Sequence, residues 1–136
     1  MKDYSKFSIL MVDDVPLNLK VVSKMLTPFN FRIRMAGGGR DALEMIVQEK
    51  PDILLLDIMM PEIDGFEVLS RIKGDALYSD IRVIILSALN ANQDIVRAYG
   101  LGASDFITKP ILMDKLINSL DVQIAAVEKA REASQK

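Results

Sequence analysis

Five short apolar runs, separated by stretches with helical periodicity, constrain this chain more than any other feature. The runs fall at residues 8–12, 31–36, 53–56, 82–86 and 105–108. Between them, residues 16–26 place Leu19, Val22 and Leu26 on one helical face, and residues 40–49 place Leu43, Ile46 and Val47. Residues 66–73 do the same with Phe66, Leu69 and Ile72, and residues 92–99 with Ile95, Val96 and Tyr99. Such three- and four-residue spacings mark helices with one buried side. Strand–helix alternation predicts an α/β fold with a parallel sheet and right-handed crossovers.

The runs differ in a way that orders the sheet. The first, third and fourth are continuously apolar, as in strands covered on both faces. The second alternates Phe31, Ile33 and Met35 with Arg32 and Arg34, which suits a sheet edge with one wet face. A doubly wound, five-stranded parallel sheet of order 2-1-3-4-5 follows, with its switch point between strands 1 and 3. Pro16 suits the first turn of a helix. Gly100 and Gly102 suit the end of the fourth helix. The last helix is expected over residues 111–134, about twice the mean length of ~11–12 residues. Met113, Ile117, Leu120, Ile124 and Val127 form an apolar stripe along it, until Arg131 interrupts. The stripe reads either as a core-packing face or as the start of a dimer coil or of a stub leading to an output domain.

Polar residues sit where the apolar runs end: Asp13 and Asp14, Asp57, Ser87 and Lys109. In an open α/β sheet, ligands bind outside the carboxyl ends of the strands. With strands ~4.8 Å apart, these ends fall within roughly 15 Å of each other. Taken singly, Asp13 and Asp14 read as a helix-capping turn, Ser87 as a turn residue and Lys109 as a surface lysine before Pro110. Their joint placement at one edge favours a site instead. Hard divalent cations such as Mg²⁺ or Mn²⁺ take carboxylate oxygens. A carboxylate at the end of a buried strand, as at Asp57, is costly unless paired or metal-bound. Such a carboxylate serves as a nucleophile towards phosphorus. Phosphoryl transfer needs positioning and charge neutralisation more than acid–base groups.

The chain has no His and no Cys among 136 residues. Ser-His-Asp hydrolysis, His-based zinc sites, thiolate chemistry and a phosphohistidine carried by the chain itself are all excluded. Its formal charge is −2, with Lys and Arg scattered, so no direct nucleic-acid contact is expected. No stretch reaches the ~20 apolar residues of a membrane span, and a cytoplasmic location with no membrane insertion is expected. Two rival chemistries fit less well. A carboxylate-nucleophile phosphatase or mutase would place a second Asp two residues after Asp57, where Met59 stands. A flavin carrier would have a Ser/Thr/Gly-rich loop after strand 1, where two aspartates stand.

The segments Val12-Asp13-Asp14, Leu54-Leu55-Leu56-Asp57-Ile58-Met59-Met60-Pro61 with Asp64-Gly65, Ile85-Leu86-Ser87-Ala88 and Phe106-Ile107-Thr108-Lys109-Pro110 resemble the receiver domain of two-component response regulators. The resemblance covers Phe7 to about Val122 and implies a flavodoxin-like (βα)5 fold. It implies a receiver domain over residues 1–122 and a helical extension or linker stub over 123–136. Asp57 would be the phosphoacceptor, taking phosphate from a histidine kinase or histidine phosphotransfer protein. Asp14 would bind Mg²⁺ directly and Asp13 through water, with Asp57 and the Met59 carbonyl as further ligands. Ser87 and Lys109 would contact the phosphoryl oxygens, and Lys109–Pro110 would be a cis peptide. Phe106 would occupy the switch position, moving with Ser87 to alter the surface of helix 4, strand 5 and helix 5. That surface would serve an output domain or a homodimer. The chain would not be an enzyme beyond its own phosphorylation and slow self-dephosphorylation. The slowness is expected because Met59 and Leu89, flanking the site, offer no group to orient water. A stand-alone regulator, an N-terminal receiver of a larger regulator and a hybrid-kinase receiver all remain open. The start at Met1 favours the first two, and the long last helix favours a multidomain parent.

Overall fold

In the computed structural model, which describes residues 2–134, five parallel strands carry five helices on their two faces. The strands are β1 (Ser8–Val12), β2 (Arg32–Ala36), β3 (Ile53–Leu56), β4 (Arg82–Ser87) and β5 (Asp105–Thr108). The helices are α1 (Pro16–Leu26), α2 (Gly39–Gln48), α3 (Gly65–Lys73), α4 (Asn92–Gly100) and α5 (Met113–Ser134). The sheet order is β2-β1-β3-β4-β5, as the patterning predicts. Residues 135 and 136 of the expected extension, and residue 1, lie outside the described residues. No helix among the described residues is long and apolar enough to cross a membrane.

The period-two alternation of strand side chains divides the core in two. Leu10, Val12, Leu54, Leu56, Val83 and Ile85 face α2, α3 and α4. Ile9, Met11, Ile53, Leu55, Ile84 and Leu86 face α1 and α5. Burial on both sides explains why β1, β3 and β4 are unbroken apolar runs. Each fully buried Leu or Ile contributes about 1.5–3 kcal/mol relative to exposure.

The structure departs from the sequence patterning at several faces. Phe31 is buried but precedes β2 rather than opening it. Met35, expected to point inward, is exposed, while Arg34 is half-buried and its guanidinium donates to the carbonyls of Met45 and Glu49 at the end of α2. On α2, Ala42 and Ile46 are buried and Val47 is exposed. On α4, Ala98 is the buried residue, and Val96 and Tyr99 face outward. On α4 the buried alanine lets the helix backbone approach the sheet, and its neighbour Tyr99 lies on the outward side. On α5, Leu116, Leu120 and Ile124 are buried together with Ser119 and Gln123. Ile117 and Val127 pack beside them, and Met113 is exposed.

Candidate functional site

The carboxyl ends of β1, β3, β4 and β5 converge on one edge of the sheet. Asp13 follows β1, Asp57 follows β3, Ser87 closes β4 and Lys109 follows β5. The backbone of each is fixed by its strand neighbour. The Asp57 amide donates to the Val12 carbonyl at 3.0 Å, and the Lys109 amide to the Ser87 carbonyl at 2.8 Å. The Lys109–Pro110 bond is cis.

Carboxylate oxygens of Asp13, Asp14 and Asp57 lie within 4.8 Å of one another. Asp13 and Asp57 are buried and Asp14 is exposed. The Lys109 ammonium reaches between the two buried groups, 3.1 Å from Asp13 Oδ2 and 3.3 Å from Asp57 Oδ2. Asp13 is held further by the Val15 amide at 2.9 Å and the Asn18 side-chain amide at 3.1 Å. It therefore ties the turn down, but it does not cap α1, whose N-cap is Val15. Asp57 Oδ1 accepts the Met59 amide at 3.4 Å.

Three carboxylates and one ammonium leave the cluster short of positive charge. Burial pushes the Asp57 carboxyl above its ordinary value; Lys109 opposes this and the neighbouring Asp13 reinforces it. For Lys109, burial acts downward, but the hydrogen bond to Asp13 and the charges of Asp57 and Asp13 outweigh it and hold the ammonium above its ordinary value. A compact set of oxygens with excess negative charge suits a hard divalent cation.

Ser87 is fully buried, and its hydroxyl accepts the Leu89 amide at 3.2 Å instead of contacting the carboxylates. Met59 is 57% exposed at the rim of the site. Phe106 is half-buried against the core on the α3–α4 side of the sheet. A cleft beside the carboxylates is lined by Leu17, Val21, Met25, Leu86 and Ile111, with Asp13, Asp57 and Lys109 at its end.

Two residues contribute in ways the sequence did not assign: Asn18 has no role there, and Gly65 appears only as part of a motif. Asn18 lies in the first turn of α1, where a short amide can reach back to the strand end; the nearby Pro16 was the available signal. Gly65 sits where a Cβ would lie 2.3 Å from the Asp57 carbonyl oxygen and 2.6 Å from Ile58 Cα. Its amide donates to the Ile58 carbonyl at 2.8 Å. The start of α3 is thus pressed against the backbone of the residue at the centre of the site. Only a residue without a side chain permits this approach.

Comparison with known proteins finds a match to the family described as "Response regulator receiver domain" over residues 9–121. The chain is 41% identical over 103 residues to the response regulator PleD of Caulobacter vibrioides, covering 76% of this chain and 23% of that protein. It is 34% identical to the protein PilH of Pseudomonas aeruginosa, covering 86% of this chain and 97% of that one. Among solved structures, the signal receiver domain of a histidine kinase from Syntrophus aciditrophicus superposes with a TM-score of 0.82 at 30% identity, covering 89% and 92% of the two chains. The chain spans about a quarter of the length of the PleD relative.

Proposed function

The chain belongs to the response regulator receiver family, and we propose that it acts as a phosphorelay switch whose phosphoacceptor is Asp57. The observation that carries this reading is the convergence of three carboxylates within 4.8 Å with the Lys109 ammonium beside them. The donor in this reading is the phosphohistidine of a histidine kinase or phosphotransfer protein; with no His, this sequence cannot carry that group itself. A carboxylate oxygen of Asp57 bonds to phosphorus as the phosphorus–nitrogen bond breaks, and that electron pair leaves with the imidazole. Lys109, paired with Asp13 and Asp57 beforehand, turns to the developing phosphoryl oxygens. Ser87 turns its hydroxyl from the Leu89 amide towards them.

Asp13, Asp14, Asp57 and the Met59 carbonyl would hold Mg²⁺, or Mn²⁺ in its place. That ion would neutralise the charge the carboxylates and phosphoryl oxygens bring together. The apolar cleft between α1 and the start of α5 gives the donor protein a surface beside Asp57, with Leu17 and Val21 exposed on its wall. Readout passes through α4, β5 and α5 to an output domain or a second copy of the chain. The chain carries no catalysis beyond its own phosphorylation and dephosphorylation, works in the cytoplasm, and touches neither nucleic acid nor membrane itself. We assign residues 1–122 to the receiver and the remainder of the chain to an extension of its last helix, of which α5 as far as Ser134 is described.

The test is intact mass after incubation with acetyl phosphate, with Mg²⁺ or with EDTA, beside Asp57→Asn. A phosphoryl adduct that needs both Mg²⁺ and Asp57 supports the reading. An adduct retained in Asp57→Asn refutes it.

A further inference from the structure

We propose that Asp105 is a positioning residue that clamps α4 in its present place and so sets how readily the site takes up a phosphoryl group. The proposal rests on the reading of Asp57 above. α4 is poorly anchored. α4 buries only Ala98 fully, whereas α3 buries five residues. Its N-cap, Ala91, supplies no side-chain hydrogen bond. Apolar packing therefore contributes little to holding it, and helices of this length depend on packing for their place.

Two side-chain tethers do the holding. The Arg97 guanidinium lies 4.0 Å over the Phe66 ring. The Tyr99 hydroxyl donates to Asp105 Oδ1 at 3.2 Å. Asp105 opens β5, and its other oxygen accepts the Ser119 hydroxyl from α5. Oδ1 also accepts the Phe106 amide at 2.8 Å. One half-buried carboxylate therefore joins α4, β5 and α5. Burial and the Asp105 charge hold the Tyr99 phenol above its ordinary value, so it remains a donor at neutral pH.

The clamp lies on the same two strands as the site. β5 runs from Asp105 to Thr108 and leads directly into Lys109, and Thr108 pairs with Ser87. From Ser87, residues 88–91 lead into α4. Drawing the Ser87 hydroxyl towards a phosphoryl group pulls on that short link. If α4 then moves, the Tyr99–Asp105 bond belongs to the resting state alone. A contact made in one state biases the equilibrium against the other, and the bias acts on ligand affinity by linkage. Removing the contact must then tighten phosphoryl-group binding. A coupling at the low end of the usual range gives about five-fold.

The probe is beryllofluoride with Mg²⁺, a phosphoryl mimic, titrated by calorimetry against the parent, Tyr99→Phe and Tyr4→Phe. Tyr4 is the internal control: its hydroxyl donates to Asp121 of α5, a tyrosine–aspartate bond in which α4 takes no part. Tyr99→Phe should bind about five-fold more tightly than the parent, with Tyr4→Phe unchanged. Both variants should lose a little thermal stability, so stability alone does not separate them. Tyr99→Phe affinity equal to or weaker than the parent's overturns the clamp. An equal gain in Tyr4→Phe does so too, because the effect would then be general loosening. A parent that binds no beryllofluoride defeats the phosphoacceptor reading, and the clamp with it.

Discussion

Replacing Lys109 with Met keeps the aliphatic stem in its cleft and removes the one cation that, among the described residues, pairs with Asp13 and Asp57. At an effective dielectric of about 20, charges ~3 Å apart attract by about 5 kcal/mol per pair. Lys109 makes two such contacts, at 3.1 and 3.3 Å. Desolvation offsets most of that attraction, and removing one partner of a buried pair costs about 3–5 kcal/mol. The Lys109 side chain keeps 24% exposure, so solvent screens it in part. The expected loss for metal-free Lys109→Met at pH 7 is therefore about 2–3 kcal/mol, read by urea denaturation.

The pH dependence of that loss is specific. Lys109 is held above its ordinary value near 10.5, so its stabilisation is fully present at neutral pH and disappears only as pH rises through that elevated value. On the acid side, Asp57 takes up its proton above its ordinary value of 3.8. Once Asp57 is neutral it no longer needs the ammonium, so the gap between parent and variant narrows as pH falls through that point. Mg²⁺ should stabilise the variant more than the parent, because it supplies the missing charge. A gap below about 0.5 kcal/mol at pH 7, within the range of ordinary surface substitutions, would refute the reasoning. So would a gap that is the same at pH 7 and in acid.

Three further outcomes follow from the same geometry. Asp57→Asn should make the metal-free protein more stable at pH 7 by on the order of 1 kcal/mol, the scale of one charge interaction in a partly wet site. Raised protonation of Asp57 in the fold means its ionisation costs stability as pH rises, so this gain should vanish in acid; a loss of stability at pH 7 would contradict it. Gly65→Ala should cost about 3 kcal/mol or more in urea denaturation, since its Cβ meets backbone rather than a movable side chain; a loss under 1 kcal/mol would mean the loop yields freely. Met59→Asn and Leu89→Asn should each shorten the lifetime of the Asp57 phosphate, followed by intact mass over time, because an amide at the rim can orient attacking water; unchanged lifetimes would remove these side chains from control of hydrolysis.

The sheet and its order were legible because burial on both faces leaves β1, β3 and β4 as apolar runs, while the two arginines mark β2 as an edge. The carboxylates, Ser87 and Lys109 were legible for a related reason: a polar residue that ends an apolar strand is conspicuous. Helix faces were less legible. Ala98 and Ala42 seat α4 and α2, yet alanine carries little hydropathy signal, so Val96, Tyr99 and Val47 misled. The buried polar residues of α5 were illegible because their partners are distant in sequence: Gln123 accepts from Arg82, and Ser119 donates to Asp105. The end of α5 is similar. Arg131, which interrupts the apolar stripe, pairs with Asp52 at 2.7 Å and lies 5.1 Å from the Phe7 ring. What read as the end of a core-facing helix is a contact with the opposite end of the sheet.

Whether one carboxylate at the end of β3 carries the phosphoryl group can be read residue by residue. The most direct measurement is to phosphorylate the chain with acetyl phosphate and Mg²⁺, reduce the acyl phosphate with borohydride, and map the product by peptide mass. Homoserine is expected at Asp57 and at no other aspartate. Label at Asp13 or Asp14, or spread across surface carboxylates, would contradict it.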